Sequence, residues 1–281
     1  MKELCQDLAA EGQALDDLVS QISDADWNKK TPFYDWTVKD EIAHVAYFDR
    51  LARLSASDKA AFDEEMNKIV ENLENLFRYT REPGLKKSNP ELLTWWRTER
   101  KGMIAAYEVL DPKARLPWHL PMSARSSATA RIMETWAHGQ DVADALGIKR
   151  PATDRLKHIA HLGNVTFGWS FSCRGMEVPH SQVRVELTSP SGKLWTWGPE
   201  ESGERISGEA EDFCLVVTQR RHYQDTNLSV RGSVAEKWMS VAQVFAGPAA
   251  EGPKPRKVEG ETGRVEAELN KKTTLACGAI T

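Results

Sequence analysis

In the stretch "ETWAHGQDVADALG", residues 134–147, a glutamate, a histidine and an aspartate recur at spacings of four and three. On a helix of 3.6 residues per turn, Glu134, His138 and Asp141 fall within a stripe roughly 60° wide. Ile132, Trp136, Ala143 and Leu146 lie together on the opposite side, so the helix combines an apolar seam with a row of groups able to bind a proton or a metal. Ala137 and Ala145 flank that row and are too small to cover it. Taken alone, the spacing also suits two solvated carboxylates and a hydrogen-bonded surface histidine. Two residues on one helix cannot surround an ion, so a metal site needs a further ligand from elsewhere.

"DWTVKDEIAHVAYFDRL", residues 35–51, offers one. Ile42, Val45, Ala46 and Phe48 spread apolar character nearly all round this helix, which places His44 in a buried setting. There it is either a core histidine bonded to a carbonyl or to Tyr47, or a ligand. With Glu134 and His138 it makes a two-histidine, one-carboxylate set, which leaves coordination positions open for water and substrate as catalytic sites require. Asp141 then acts as a fourth ligand or accepts a hydrogen bond from the far nitrogen of a ligating histidine or from a metal-bound water.

The elements that must position these residues are legible in outline. The chain has 281 residues, 41% hydrophobic and 28% charged, with a formal net charge of −4. These are the proportions of a globular protein with one large domain or two modest ones. The absence of a basic excess argues against nucleic acid as a partner. The lack of an apolar run of about 18 residues argues against a membrane, and the charged, amphipathic start is unlike a signal peptide, so a cytoplasmic protein is expected. Cys5, Cys173, Cys214 and Cys277 form no C-x-x-C pair, so neither a disulfide framework nor a thiolate zinc site is encoded.

Helical periodicity predicts six helices, over about 2–23, 37–55, 58–80, 89–109, 123–147 and 153–172, with Thr37, Asn89 and Thr153 or Asp154 as N-caps. Short loops between them favour an antiparallel bundle. From Val183 the pattern alternates and turns at "SPSG", a β-hairpin, followed by a helix over "GEAEDFCLVVTQRR", a strand at "LSVRG" and a closing helix. The expected fold is therefore α+β: a helical bundle over 1–173, a small α/β domain over 176–247, and a Pro-, Gly- and charge-rich flexible tail over 248–281.

The pair "DWTVKDEIAHVAYFD" and "METWAHGQDVADALG" resembles the metal-binding signature of the DinB-like helical bundles, in their mycothiol-dependent maleylpyruvate isomerase branch. The likeness covers roughly residues 5–247 and is specific also at "DRLKHIAHLG" and "LWTWGPEESGERISGEAEDFCLVVTQRRH". Within the superfamily it is nearest to a metal-binding group described as wyosine-base-formation-domain-like. The resemblance implies His44, Glu134 and His138 as ligands of a divalent ion, zinc foremost; Asp141, from its place on the same stripe, is the expected catalytic residue beside them. It also implies a low-molecular-weight thiol such as mycothiol, transferred to a small electrophile or used to isomerise it. In the family an arginine following a glycine helps hold the anionic substrate. Arg220 in "TQRRH" is its counterpart, with Gln219 in place of the glycine. A metal-binding protein without turnover and a metal-assisted hydrolase are the rival readings, and a monomer or a homodimer suits each.

Other residues invite attention. His119 precedes the metal-bearing helix and is a candidate for lining a substrate cleft, as are Trp36 and Trp118. His158 and His161 are read as packing or capping residues, Cys173 and Cys214 as small buried hydrophobes, and Cys277 as an exposed free thiol.

Overall fold

The computed structural model describes residues 1–256. Its first half is helical: α1 (Lys2–Val19), a one-turn α2 (Asp24–Trp27), α3 (Val38–Ser57), α4 (Lys59–Glu71), α5 (Leu76–Leu85) and α6 (Asn89–Glu108). A two-stranded ribbon, β1 (Arg115–Leu116) with β2 (Met122–Ser123), leads into α7 (Ala124–Leu146). Local chemistry sets the ends of the two helices that matter most. Thr37 caps α3 in a reciprocal box with Asp40, each side chain satisfying the other's backbone N–H. Ser123 caps α7, and Gly147 ends it in the left-handed region at φ 68°.

Several helix boundaries differ from expectation. The helix expected over 58–80 breaks at Asn72, whose side-chain amide donates to the Lys68 carbonyl and competes with the helical backbone; a 3₁₀ turn then restarts it as α5, which runs through Pro83. The helix expected over 153–172 divides into α8 (Leu156–Val165) and α9 (Phe167–Ser172) at Thr166, whose hydroxyl bonds back to Leu162 and Gly163. Ser88, not Asn89, caps α6, in a box with Glu91, and α8 starts without a side-chain cap.

The second half is a four-stranded sheet with helices. In order of sequence come β3 (Arg184–Thr188), β4 (Leu194–Trp197), β5 (Arg205–Glu209), α10 (Ala210–Val217), β6 (Ser229–Arg231) and α11 (Ser233–Val241). The sheet order is β4-β3-β5-β6, with β3 antiparallel to β4 but parallel to β5. The architecture is thus α+β. β5 escaped the sequence reading because Ile206 is its one buried apolar residue and Gly208 interrupts any alternation.

Packing ties the halves together. Met133 and Trp136 of α7, Leu156 and Ile159 of α8, and Phe171 of α9 share one core with Val185, Leu187 and Ile206 of the sheet and with Phe213 and Trp238. The core is therefore continuous across residue 173, and α8 and α9 pack on α10 and α11. A separate core formed by α1, α3, α6 and α7 holds Leu15, Ile42, Leu92, Trp96 and Val142. Helix α7 is enclosed on both faces, so its polar stripe faces α3 instead of solvent: Arg131, Thr135, His138 and Asp141 are all buried.

The expected tail begins as a strap. The Ala250 carbonyl accepts from Gln219 and Arg174, the Ala250 N–H donates to Gln243, and the Arg256 N–H donates to Asp225. Cys277 lies outside the described residues. Among the described residues no helix is long and apolar enough to cross a membrane.

Candidate metal centre

Helices α3 and α7 pack side by side and bring the chemistry together. Glu41 and His44 are three apart on α3, and Glu134, His138 and Asp141 share one face of α7. The two imidazole centroids are 4.5 Å apart. Both Nε2 atoms approach Oε2 of Glu134, at 3.3 Å from His138 and 3.7 Å from His44. One ligand atom from each of the three residues lies within 4.8 Å of the others. A tetrahedral ion with bonds of ~2.1 Å has ligand-to-ligand edges of ~3.4 Å, so this donor set fits a divalent ion with little rearrangement. Both histidines are buried, whereas the Glu134 side chain is 24% exposed, so solvent reaches the cluster at the carboxylate.

Within this cluster the two histidines are held differently. The Nδ1–H of His138 donates to Oε2 of Glu41 at 2.7 Å, and the Thr31 hydroxyl donates to Oε1 of the same carboxylate at 2.6 Å. Nδ1 of His44, buried, has no hydrogen-bond partner. Tyr47, considered from sequence as its partner, donates to Glu65 instead. Sequence reasoning missed Glu41, because an acid in the first turn of a helix already has an ordinary explanation in the helix dipole. The available signal was its position one turn before His44 on a helix apolar nearly all round.

Asp141 occupies a different place from the one expected. It lies 3.8 Å from Nδ1 of His138, and the hydrogen bond expected of it is made by Glu41. Its carboxylate instead accepts from Arg220, at 3.1 Å from Nε and 2.6 Å from Nη2. Arg220 also donates to the Thr218 carbonyl and lies over the Phe33 ring. The next residue, Arg221, grips Asp144 of α7. Gln219 takes the left-handed conformation at φ 59° that a glycine would adopt freely, its amide donating to the Ala242 and Ala250 carbonyls. Glu41, His138 and Asp141 also lie close enough together to hold an ion, but the Arg220 guanidinium already supplies the positive charge there.

An aromatic wall closes the other side. The Trp36 ring is stacked parallel to His138 at 6.2 Å and tilted against His44 at 5.2 Å, while Phe33 and Phe48 each contact one imidazole. The loop bearing Phe33 and Trp36 runs through two left-handed residues, Tyr34 and Asp35. Such strain persists only where surrounding structure imposes it, and it concentrates at functional sites. Trp118 packs near Phe62, and His119 is exposed in the β1–β2 loop. His158 pairs with Asp7 of α1 at 2.8 Å. Shallow grooves beside Pro83 and Trp95 and beside Ser181 and Glu204 touch none of the cluster.

Charge reinforces the arrangement. Burial opposes a proton on His138, but hydrogen bonds to Glu134 and Glu41 outweigh it and push the imidazole up to about 9. Burial and the neighbouring His138 push His44 down to about 3. His138 therefore carries a proton at neutral pH, which an ion bound at Nε2 would have to displace. Its raised value stabilises the metal-free fold fully below the ordinary 6.5, and this contribution is lost as pH rises through about 9. Apparent zinc affinity is expected to rise between pH 6.5 and 9, by up to about tenfold per unit for one displaced proton. Calorimetry in buffers of different ionisation enthalpy measures the released proton; a pH-independent affinity contradicts the assignment.

This is a DinB-like helical bundle carrying a two-histidine, one-carboxylate cluster and a small sheet domain. Residues 8–143 match the mycothiol maleylpyruvate isomerase N-terminal domain, and residues 179–230 match a model described as wyosine base formation. Two proteins of Mycobacterium tuberculosis, uncharacterized proteins MT0041 and Rv0036c, are each 42% identical over 247 residues, covering 88% of this chain and 96% of theirs. The chain belongs to their family, and its N-terminal region is similar to the mycothiol maleylpyruvate isomerase N-terminal domain. Crystal structures of the mycothiol-dependent maleylpyruvate isomerase and of a mutant of it share the fold, with TM-scores of 0.55 at 14% and 15% identity over 90% of this chain and 95% of theirs.

Proposed function

We propose that the protein is a metal-dependent enzyme that activates a low-molecular-weight thiol, such as mycothiol, for transfer to a small electrophile or for its isomerisation. The observation that carries this reading is the convergence of both Nε2 atoms on a partly exposed Glu134 carboxylate, a donor set that leaves positions open. His44, Glu134 and His138 would hold the ion, zinc foremost; bound there, it would lower the pKa of a thiol so that thiolate forms at neutral pH. Trp36, Phe33 and Phe48 exclude water from the histidine side. Arg220, close enough for its charge to oppose the His138 proton, receives a substrate carboxylate in competition with Asp141. His119, exposed in its loop, has no part in this reading.

The test is to purify the protein, measure bound metals, and follow loss of free thiol with mycothiol and a panel of electrophiles. Thiol consumption that needs the metal supports the reading. Metal binding without turnover assigns a binding protein, and ester or amide cleavage without thiol assigns a hydrolase. Chelation is expected to leave the far-ultraviolet circular dichroism unchanged, because several apolar cores sustain the fold without the ion. Loss of the helical signal on chelation would mark the site as structural.

A further inference from the structure

We propose that Glu41 is the positioning residue of the metal centre: it holds His138 with hydrogen on Nδ1 and the Nε2 lone pair facing the ion. The inference rests on the metal reading above. Glu41 has 0% exposure, and a carboxylate taken out of water is costly unless each oxygen finds a donor. Both do, Oε1 from Thr31 and Oε2 from His138. A leucine would serve packing on this helix at no such cost, so the retained carboxylate points to orientation of the ring.

The support extends outward. The Thr31 N–H donates to the Trp36 carbonyl at 2.7 Å, so the loop that lays Trp36 against both imidazoles also anchors the hydroxyl that holds Glu41. Asp141, the other carboxylate near Nδ1, is committed to Arg220. His44 has no counterpart to Glu41: its Nδ1 is unpartnered, and behind the ring Trp36 and Phe48 hold it by packing. His138 is thus the fixed ligand and His44 the adjustable one. A carboxylate behind a ligating histidine fixes tautomer and ring plane and raises ligand basicity, and its loss typically weakens metal binding ~10-fold to 100-fold.

The experiment is zinc competition against a chromophoric chelator for the wild-type protein, Glu41→Gln, Glu41→Ala and Thr31→Val, with circular dichroism to verify folding. Nitrogen-15 histidine spectra of the zinc-loaded proteins accompany it. Glu41→Gln keeps size and an acceptor oxygen, and is expected to weaken zinc by roughly tenfold; Glu41→Ala approaches ~100-fold, and Thr31→Val costs less than either. The Nδ1–H proton of His138, far downfield in the wild type, is expected to move upfield in Glu41→Gln, a change that packing alone would not produce. Unchanged zinc affinity with an unchanged His138 resonance in the isosteric Glu41→Gln variant overturns the role of Glu41 and leaves the metal reading standing. A wild-type protein that binds no zinc overturns both.

Discussion

The His44→Ala, His138→Ala double variant is expected to bind no divalent ion, and each single variant to lose more affinity than the ~10-fold to 100-fold typical of a supporting residue. The two single variants should differ in stability. Removing His138 takes the donor from Oε2 of Glu41, leaving Thr31 alone to hold a carboxylate with 0% exposure that then faces a void. Breaking a buried charged pair from one side typically costs about 3–5 kcal/mol. Removing His44 breaks no hydrogen bond at Nδ1, so its cost is limited to lost packing against Trp36 and Phe48 and the long Nε2 contact with Glu134 at 3.7 Å. Metal analysis of the purified variants, with thermal melts of the chelated forms, reads both effects. Full occupancy in the double variant would remove His44, Glu134 and His138 as a binding set.

Periodicity and capping chemistry made the bundle legible, because a helix that buries one face writes that face at 3.6-residue spacing and often declares its start, as Thr37 and Asp40 do. Breaks at Asn72 and Thr166 were hidden because each depends on a side chain competing for a backbone group, which leaves the apolar pattern intact. The stripe on α7 was visible as a set of residues but not as a buried one. Its polar partners come from α3, ninety-odd residues earlier, and from the segment after α10, seventy-nine residues later. The role of Glu41 was hidden for the same reason: nothing in its local sequence tells a solvated first-turn acid from one enclosed beneath a histidine. Resemblance named Arg220, and only the three-dimensional arrangement shows its guanidinium engaged by Asp141.

That engagement carries the other large expected effect. Asp141→Asn keeps the shape of the side chain but removes the charge opposite Arg220, whose side chain is 5% exposed. A cation left buried without its counter-charge is expected to cost about 3 kcal/mol or more, a fall in melting temperature of ~6–12 °C for a domain of this size. If Asp141 serves chiefly as the latch that, with Asp144, fastens the segment after α10 to α7, the double variant Asp141→Leu, Arg220→Met should recover much of the loss, since a well-packed apolar pair can replace a buried ion pair with little penalty. Zinc affinity should then change by only a few fold, far less than in Glu41→Ala, because the histidine's own support is intact. A cobalt spectrum altered in Asp141→Asn would instead make Asp141 a ligand. An unchanged melting temperature would mean that Arg220 finds another partner, and the latch would be discarded. On the proposed function, a substrate carboxylate drawn to Arg220 would compete with Asp141 for its guanidinium, so substrate binding and the grip of the segment after α10 on α7 would be coupled through one side chain.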